Sequence, residues 1–102
     1  MSSFAQISTC KDWMGLDKIG YLGCLPKSSE TKLTIRNNLD KDVRINFENL
    51  STGSLADTFL SHQEKTIDLG NKNKEVPVRI STIDNRIIFD KQQLDLILWK
   101  LE

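Results

Sequence analysis

The sequence predicts an all-β protein, a small antiparallel β-sandwich of about seven to nine short strands. Three observations favour this fold class. Short runs of residues alternate between apolar and polar, and turn-forming residues separate these runs at intervals of about ten residues. The chain has 102 residues, which is long enough for one domain to bury a self-sufficient hydrophobic core.

Composition and charge limit the classes of function. Hydrophobic residues make up 38% of the chain and charged residues 27%, close to the averages of a soluble globular domain. Because 14 basic residues balance 14 acidic ones and lie scattered, we expect no nucleic-acid partner. We also expect no membrane span and no apolar signal segment. The prediction is a single cytoplasmic domain, residues 1–102, with residues 1–25 packed on the sandwich as an N-terminal segment.

Three runs show the clearest alternation of apolar and polar residues. Each has one apolar and one polar face, which is typical of antiparallel strands between a core and water. The predicted strands are residues 32–37 (KLTIRN), 42–49 (DVRINFEN) and 75–82 (EVPVRIST). Pro77 lacks the amide hydrogen that a strand ladder uses, so we predict that the third strand is at an edge or contains a bulge.

The residues between the first two strands suggest a calcium loop. Asn38, Asp40 and Asp42 stand at alternate positions, like the first oxygen ligands of such a loop. The loop would also require glycine where the chain has Val43 and glutamate where it has Asn49. The mismatch favours a hairpin turn, in which Asn38 or Asp40 takes left-handed backbone angles, and predicts no metal site.

The N-terminal segment combines features of a helix and a strand. Apolar residues recur every third position from Trp13 to Leu22, as on one face of a helix. Three glycines in and beside this stretch each weaken a helix by about 1 kcal/mol relative to alanine. We therefore predict one short helical turn followed by a strand through residues 19–25 (IGYLGCL).

The two cysteines, Cys10 and Cys24, are too few for a disulfide framework and lack the paired spacing of a zinc site. In a reducing cytosol we expect two buried or half-buried thiols. The alternative is a single bridge that would tether the N-terminal segment to the rest of the domain.

Residues 90–102 fit either a helix or a strand. Asp90 and Gln93 fit a capping box that would begin a helix. Alternatively, residues 86–89 (RIIF) and 94–101 (LDLILWKL) would pair as a hairpin. The all-β character of the chain favours the strand.

A C-terminal strand would be apolar on both faces, which has consequences for association. It would be either central and covered on both sides or an edge that pairs with a second copy. The second option predicts a self-association seam with a buried aromatic anchor, Trp99, although packing in the core is the alternative for this side chain. The seam residues are Leu96, Ile97, Leu98, Trp99 and Leu101.

Catalytic motifs are missing from the sequence. The sole histidine, His62, follows Ser61 directly, and a strand would direct these two side chains to opposite faces. Neither a glycosidase-like pair of carboxylates nor a phosphate-binding glycine loop can be named. We predict no catalytic residue, no cofactor and no enzymatic activity.

Two aromatic residues in the N-terminal segment suggest a glycan ligand. Trp13 and Tyr21 offer rings that could stack on a sugar, and the turns are rich in side chains that hydrogen-bond hydroxyl groups. The alternative is that the tryptophan fills the core.

The order of strands and turns in residues 33–70 resembles that of immunoglobulin-like or jelly-roll-like sandwich modules, without the cysteine pair that brackets a core tryptophan in antibody domains. This resemblance implies a fold and no function. The first functional prediction is a non-enzymatic protein-interaction module that pairs with itself or with another protein. A carbohydrate-binding sandwich is the alternative, and a viral or mobile-element inhibitor of a host factor is a lesser one.

Overall fold

The computed structural model describes residues 4–6, 8–9, 21–50, 53–71, 74–83 and 91–102. These residues form nine strands and one short helix, and every strand pair is antiparallel. The elements are β1 (Ala5–Gln6), β2 (Ser8–Thr9), β3 (Tyr21–Leu25), β4 (Lys32–Asn37), β5 (Val43–Leu50), β6 (Gly53–Phe59), β7 (Glu64–Asp68), β8 (Val76–Thr82), α1 (Lys91–Leu94) and β9 (Ile97–Leu101).

The strands form two sheets that pack face to face. Sheet A has the order β1-β9-β4-β7, and sheet B has the order β2-β3-β8-β5-β6. Both sheets contribute side chains to one buried core, so the predicted all-β antiparallel sandwich is confirmed. The core residues are Leu25, Leu33, Ile35, Leu39, Val43, Ile45, Phe47, Phe59, Leu69, Val76, Val78, Ile80, Leu94, Ile97 and Trp99.

The predicted hairpin between β4 and β5 is wrong. These strands belong to different sheets, so residues 38–42 cross from sheet A to sheet B. Among the described residues other than glycine, only His62 has a positive φ, so neither Asn38 nor Asp40 takes the left-handed angles predicted for a hairpin turn. The alternating pattern identified both strands correctly, but it carries no information on which sheet each one joins.

The prediction that Pro77 marks an edge strand or a bulge is also wrong. β8 lies inside sheet B, between β3 and β5. The ladder with β5 ends at Val78, so Pro77 pairs only with Cys24 of β3. The missing amide hydrogen therefore interrupts no ladder on the β5 side. The irregular register in this sheet lies elsewhere, between Phe47 and Leu50 of β5.

The chain ends combine the predicted alternatives. The predicted strand at residues 19–25 is confirmed over residues 21–25 as β3, whereas residues 19–20 and the predicted helical turn lie outside the described residues. At the C-terminus, one helical turn, α1, precedes the strand β9, so each of the two alternatives holds for part of the segment. The predicted partner strand at residues 86–89 lies outside the described part of the chain.

Cys24 is buried and disulfide-bonded, which corrects the expectation of two thiols. The chain has only one other cysteine, Cys10, which follows β2 directly. β2 already pairs with β3 in the register Ser8 to Cys24 and Thr9 to Gly23. Short strands with so few ladder bonds gain from a covalent link, because the link restricts the unfolded chain.

Candidate interaction site

The two edge strands β6 and β7 follow each other in the chain and end different sheets on the same side of the sandwich. β6 is the last strand of sheet B and β7 is the last strand of sheet A. The turn Leu60–Gln63, with a hydrogen bond of 3.0 Å from Gln63 N to Leu60 O, connects them. We call the gap between β6 and β7 the open side of the sandwich.

An ion pair between Asp57 and Lys65 bridges β6 and β7 across the open side. Asp57 of β6 pairs with the buried Ile45, and Lys65 of β7 pairs with the buried Ile35. Residues directly opposite in a ladder share a face, so both charged side chains point to the core side of their sheets. Their Nζ and Oδ1 atoms are 2.9 Å apart, and the ammonium lies 4.6 Å from the centroid of the Phe59 ring.

The ion pair also provides hydrogen-bond partners for the backbone N–H and C=O of Thr58, which point away from β5. Lys65 Nζ donates a hydrogen bond of 2.6 Å to Thr58 O, and Thr58 N donates one of 2.8 Å to Asp57 Oδ1. Edge strands are commonly protected in this way, by charges and particularly by lysine, against pairing with other chains. The C-terminal half of β6 is therefore closed to a further strand.

The N-terminal half of β6 lacks this protection. Backbone groups of an antiparallel strand point alternately to its two sides, so Ala56 and Ser54 direct theirs outward, as Thr58 does. No hydrogen bond from another described residue reaches these outward groups. All of residues 53–56 are exposed, and the chain carries no charge from Leu50 to Ala56. We call residues 53–56 the β6 open edge.

Leu55 gives the β6 open edge an apolar contact. It pairs with Phe47 and so lies on the core side of sheet B, yet 37% of its surface is exposed. Its neighbours Ser54 and Ala56 are small and lie on the opposite face. A strand added at this edge would therefore meet one apolar side chain on the inner face and no bulky one on the outer face.

A buried amide fixes the loops beside the open side. Asn37 is fully buried, and its Nδ2 lies within 3.1 Å of the carbonyl oxygens of Lys41, Phe59 and Leu60. Its Oδ1 accepts a hydrogen bond of 3.0 Å from Leu39 N. One side chain thus joins the crossover 38–42 to the start of the turn between β6 and β7.

The aspartates of the candidate calcium loop contact the turn between β6 and β7. Asp42 Oδ1 accepts a hydrogen bond of 2.8 Å from Ser61 N, and Asp40 Oδ1 lies 3.0 Å from Nε2 of His62. Ser61 Oγ donates to Leu39 O, so the two adjacent residues of the Ser-His pair have separate local partners. His62 has a φ of 62°, as at the third position of a type II turn.

The predicted C-terminal seam divides between core and surface. Ile97 and Trp99 are buried in the inter-sheet core, Trp99 with only 7% of its surface exposed, and Leu101 packs against that core. Leu98 is half-buried on the outer face, and Leu96 in the preceding turn is 46% exposed. β9 lies between β4 and, over two residues, β1, so it is a central strand of its sheet rather than an edge strand.

The outer face around Leu98 is partly covered by the N-terminus. Leu98 pairs with Arg36, and Lys100 is its next neighbour on the same face of β9. The Phe4 ring lies 4.3 Å from the Arg36 guanidinium carbon and 5.0 Å from Lys100 Nζ, in cation–π contacts. The seam stays a prediction, with Leu96 as its most exposed member.

Of the two residues predicted to stack on a sugar, Trp13 lies outside the described residues. The backbone of Tyr21 begins β3, but its side chain is not among the described ones. Glycan binding therefore stays a prediction.

Sequence reasoning missed the charged pair and the open edge, although a signal was present. Leu55, Asp57 and Phe59 alternate, and so do Lys65 and Ile67. A charge at an apolar position of an alternating run is one way in which edge strands are protected.

The described residues contain no group of three or more His, Cys, Asp or Glu side chains placed to hold a metal ion. No helix in this part of the chain has the length and hydropathy of a membrane span. Comparisons with models of protein families, with curated proteins and with solved structures give no match.

Proposed function

We propose that the protein is a non-enzymatic interaction module that pairs the β6 open edge with an extended segment of a protein chain. The observation that carries this proposal is the row of outward backbone groups at Ser54 and Ala56, which have no partner among the described residues. Addition of a strand to a sheet edge is a recurrent mode of peptide recognition, in which main-chain hydrogen bonds supply affinity.

The side chains of the edge favour a partner of defined chemistry. Leu55 offers an apolar contact on the inner face, so the partner segment needs an apolar residue opposite or diagonal to it. The outer face of the edge is formed by Ser54 and Ala56, which tolerate residues of any size. An extended, weakly charged segment with one inward apolar residue fits this surface.

The Asp57–Lys65 pair limits the length of the added ladder. It occupies the outward carbonyl of Thr58, the next position at which a partner strand would bond. A partner can therefore pair only with the first half of β6. A short ladder supports a reversible contact rather than a permanent one.

The C-terminal seam is a second candidate surface for the same function. Leu96 and Leu98 are its members outside the core, and self-association through them is the prediction made from the sequence. This surface offers two separate side chains, whereas the β6 open edge offers both backbone bonds and an apolar contact. The edge is therefore the stronger candidate.

The Cys24 disulfide indicates the redox state of the compartment in which the protein folds. Disulfides persist in oxidising compartments and are rare in the cytosol. This bond favours an oxidising compartment over the predicted cytoplasm. Alkylation of thiols in the protein from its native source, followed by mass spectrometry, tests the point: two alkylated cysteines would support the cytoplasm.

Selection of peptides tests the proposed function. A phage-displayed library of random peptides is panned against the wild-type protein, and enriched peptides are measured against Ala56→Pro and against Leu60→Ser as a control. Proline at position 56 removes the outward amide hydrogen, which an edge strand tolerates. Leu60 is also exposed but lies in the turn beyond β6.

We expect enriched peptides to lose binding to Ala56→Pro and to keep it with Leu60→Ser. Circular dichroism and a melting curve establish that both variants fold. The proposal fails if no peptide is enriched, or if enriched peptides bind a folded Ala56→Pro variant as well as they bind the wild type.

A further inference from the structure

We infer that the partner of the β6 open edge is a second copy of this chain, paired antiparallel about a two-fold axis at Leu55. The inference rests on the proposed function and names its partner. The two copies of sheet B would then form one continuous sheet, with the two β6 strands side by side at its centre.

The hydrogen-bonding pattern of the edge is self-complementary. Ser54 and Ala56 each direct an N–H and a C=O outward, and they are two positions apart. Residues that exchange both bonds lie directly opposite each other in an antiparallel ladder. A two-fold axis at Leu55 places Ser54 of each copy opposite Ala56 of the other, so each of these two pairs exchanges both of its backbone bonds.

Leu55 lies between these two pairs and meets its own copy. It would form a non-hydrogen-bonded pair, in which opposite Cα atoms approach to about 4.5 Å. Both Leu55 side chains lie on the core side of their sheets, where the surface left exposed in the monomer would be covered. The two-fold axis therefore places the two Leu55 side chains against each other, and Leu55 is the only large apolar residue of the β6 open edge.

The charges near the edge are compatible with this register. Asp57, the first charged residue after the edge, would stand opposite Gly53 of the second copy. The two Asp57 residues would be four positions apart along the ladder, or about 13 Å at about 3.3 Å per residue. This separation exceeds the screening length of about 8 Å at physiological ionic strength, so like charges do not oppose the pairing.

The pairing is closed at two copies. It is isologous, because both copies use the same edge. The dimer therefore leaves no β6 open edge for a third copy to pair with. On β7, the other edge strand of the open side, the exposed face carries Glu64 and Asp68 on either side of Thr66, and charges on an edge strand discourage pairing. The contact is small compared with stable interfaces, so we expect weak and reversible dimerisation.

Sedimentation velocity over a dilution series, up to about 1 mM protein, tests the inference. We expect a monomer–dimer equilibrium for the wild type, at least tenfold weaker dimerisation for Ala56→Pro, and an unchanged equilibrium for the matched control Leu60→Ser. The double variant Leu96→Ser with Leu98→Ser reports on the C-terminal seam and is expected to dimerise normally.

Three results would overturn the inference: a wild type that stays monomeric throughout, a dimer that a folded Ala56→Pro variant keeps, or a dimer lost in the seam variant. Larger assemblies would contradict the two-fold arrangement. A monomeric wild type would leave the proposed function standing if peptides still bind at the edge, so the two failures are distinguishable.

Cysteine crosslinking tests the register. Under oxidised glutathione, Leu55→Cys is expected to form a covalent dimer, because its Cα atom lies near that of its copy across the axis. In Ser54→Cys the equivalent residues are diagonal, at about 7 to 8 Å, beyond the usual reach of a disulfide. Equal crosslinking of the two variants, or crosslinking of Ser54→Cys alone, would contradict the register.

Discussion

Lys65 Nζ and Asp57 Oδ1, 2.9 Å apart, join the edge strands of two different sheets. The pair lies on the core side of both strands, where most neighbouring positions are apolar. It stabilises the open side and at the same time satisfies the backbone of Thr58. It therefore divides β6 into a protected half and an open half.

The energetic coupling of this pair is measurable by a double-mutant cycle. With side chains 30% and 34% exposed, we expect Asp57→Asn and Lys65→Met to show a coupling free energy of about 0.5–1 kcal/mol, decreasing at high salt. Urea denaturation of the wild type, both single variants and the double variant gives this value. Additive single effects would show that the two groups do not interact in solution.

Asn37 is expected to be the most sensitive polar residue of the loops. Asn37→Ala would remove the side-chain hydrogen-bond partner of the Lys41, Phe59 and Leu60 carbonyl groups and of the Leu39 amide, so we expect the free energy of unfolding to fall by about 2–4 kcal/mol. Urea denaturation measures the loss.

The neighbouring residue provides a matched control. Asn38 donates its backbone N–H to Leu96 O, a bond that Asn38→Ala keeps. We expect this change to lower the free energy of unfolding by at most about 0.5 kcal/mol. Equal effects at positions 37 and 38 would show that the buried hydrogen bonds do not account for the sensitivity.

His62 occupies a backbone conformation that favours glycine. With its φ of 62°, we expect His62→Gly to be as stable as the wild type or more stable by up to about 1 kcal/mol, because glycine relieves the left-handed strain. His62→Val should lose at least about 1 kcal/mol, since a branched Cβ fits this region poorly. Thermal melting ranks the three proteins, and a valine variant as stable as the histidine would contradict the turn geometry.

The disulfide is expected to contribute a large part of the stability. A bridge from Cys10 to Cys24 closes a loop of 15 residues, for which the loss on removal is about 3 kcal/mol. Urea denaturation with and without dithiothreitol, compared with the double variant Cys10→Ser and Cys24→Ser, measures this loss. A reductant that left the unfolding midpoint unchanged would contradict the bridge.

Several faces of the strands were predictable from the sequence because the alternation has a period of two. Leu33 and Ile35 of β4 and Val43, Ile45 and Phe47 of β5 all lie in the core, as their spacing indicates. The same pattern failed at β9, where Ile97, Leu98 and Trp99 are consecutive apolar residues. An unbroken apolar run does not distinguish the core from an interface. The sequence therefore predicted a seam that includes Ile97 and Trp99, which the structure buries in the core.

The sequence by itself determined that this chain forms short antiparallel strands with a shared core, since that information is local. Only the tertiary structure decided that β4 and β5 belong to different sheets, that β8 is internal despite Pro77, and that Asp57 meets Lys65. These outcomes depend on the pairing of strands that are distant in sequence. Such pairing is set by the packing of two whole sheets, and no short window of residues contains it.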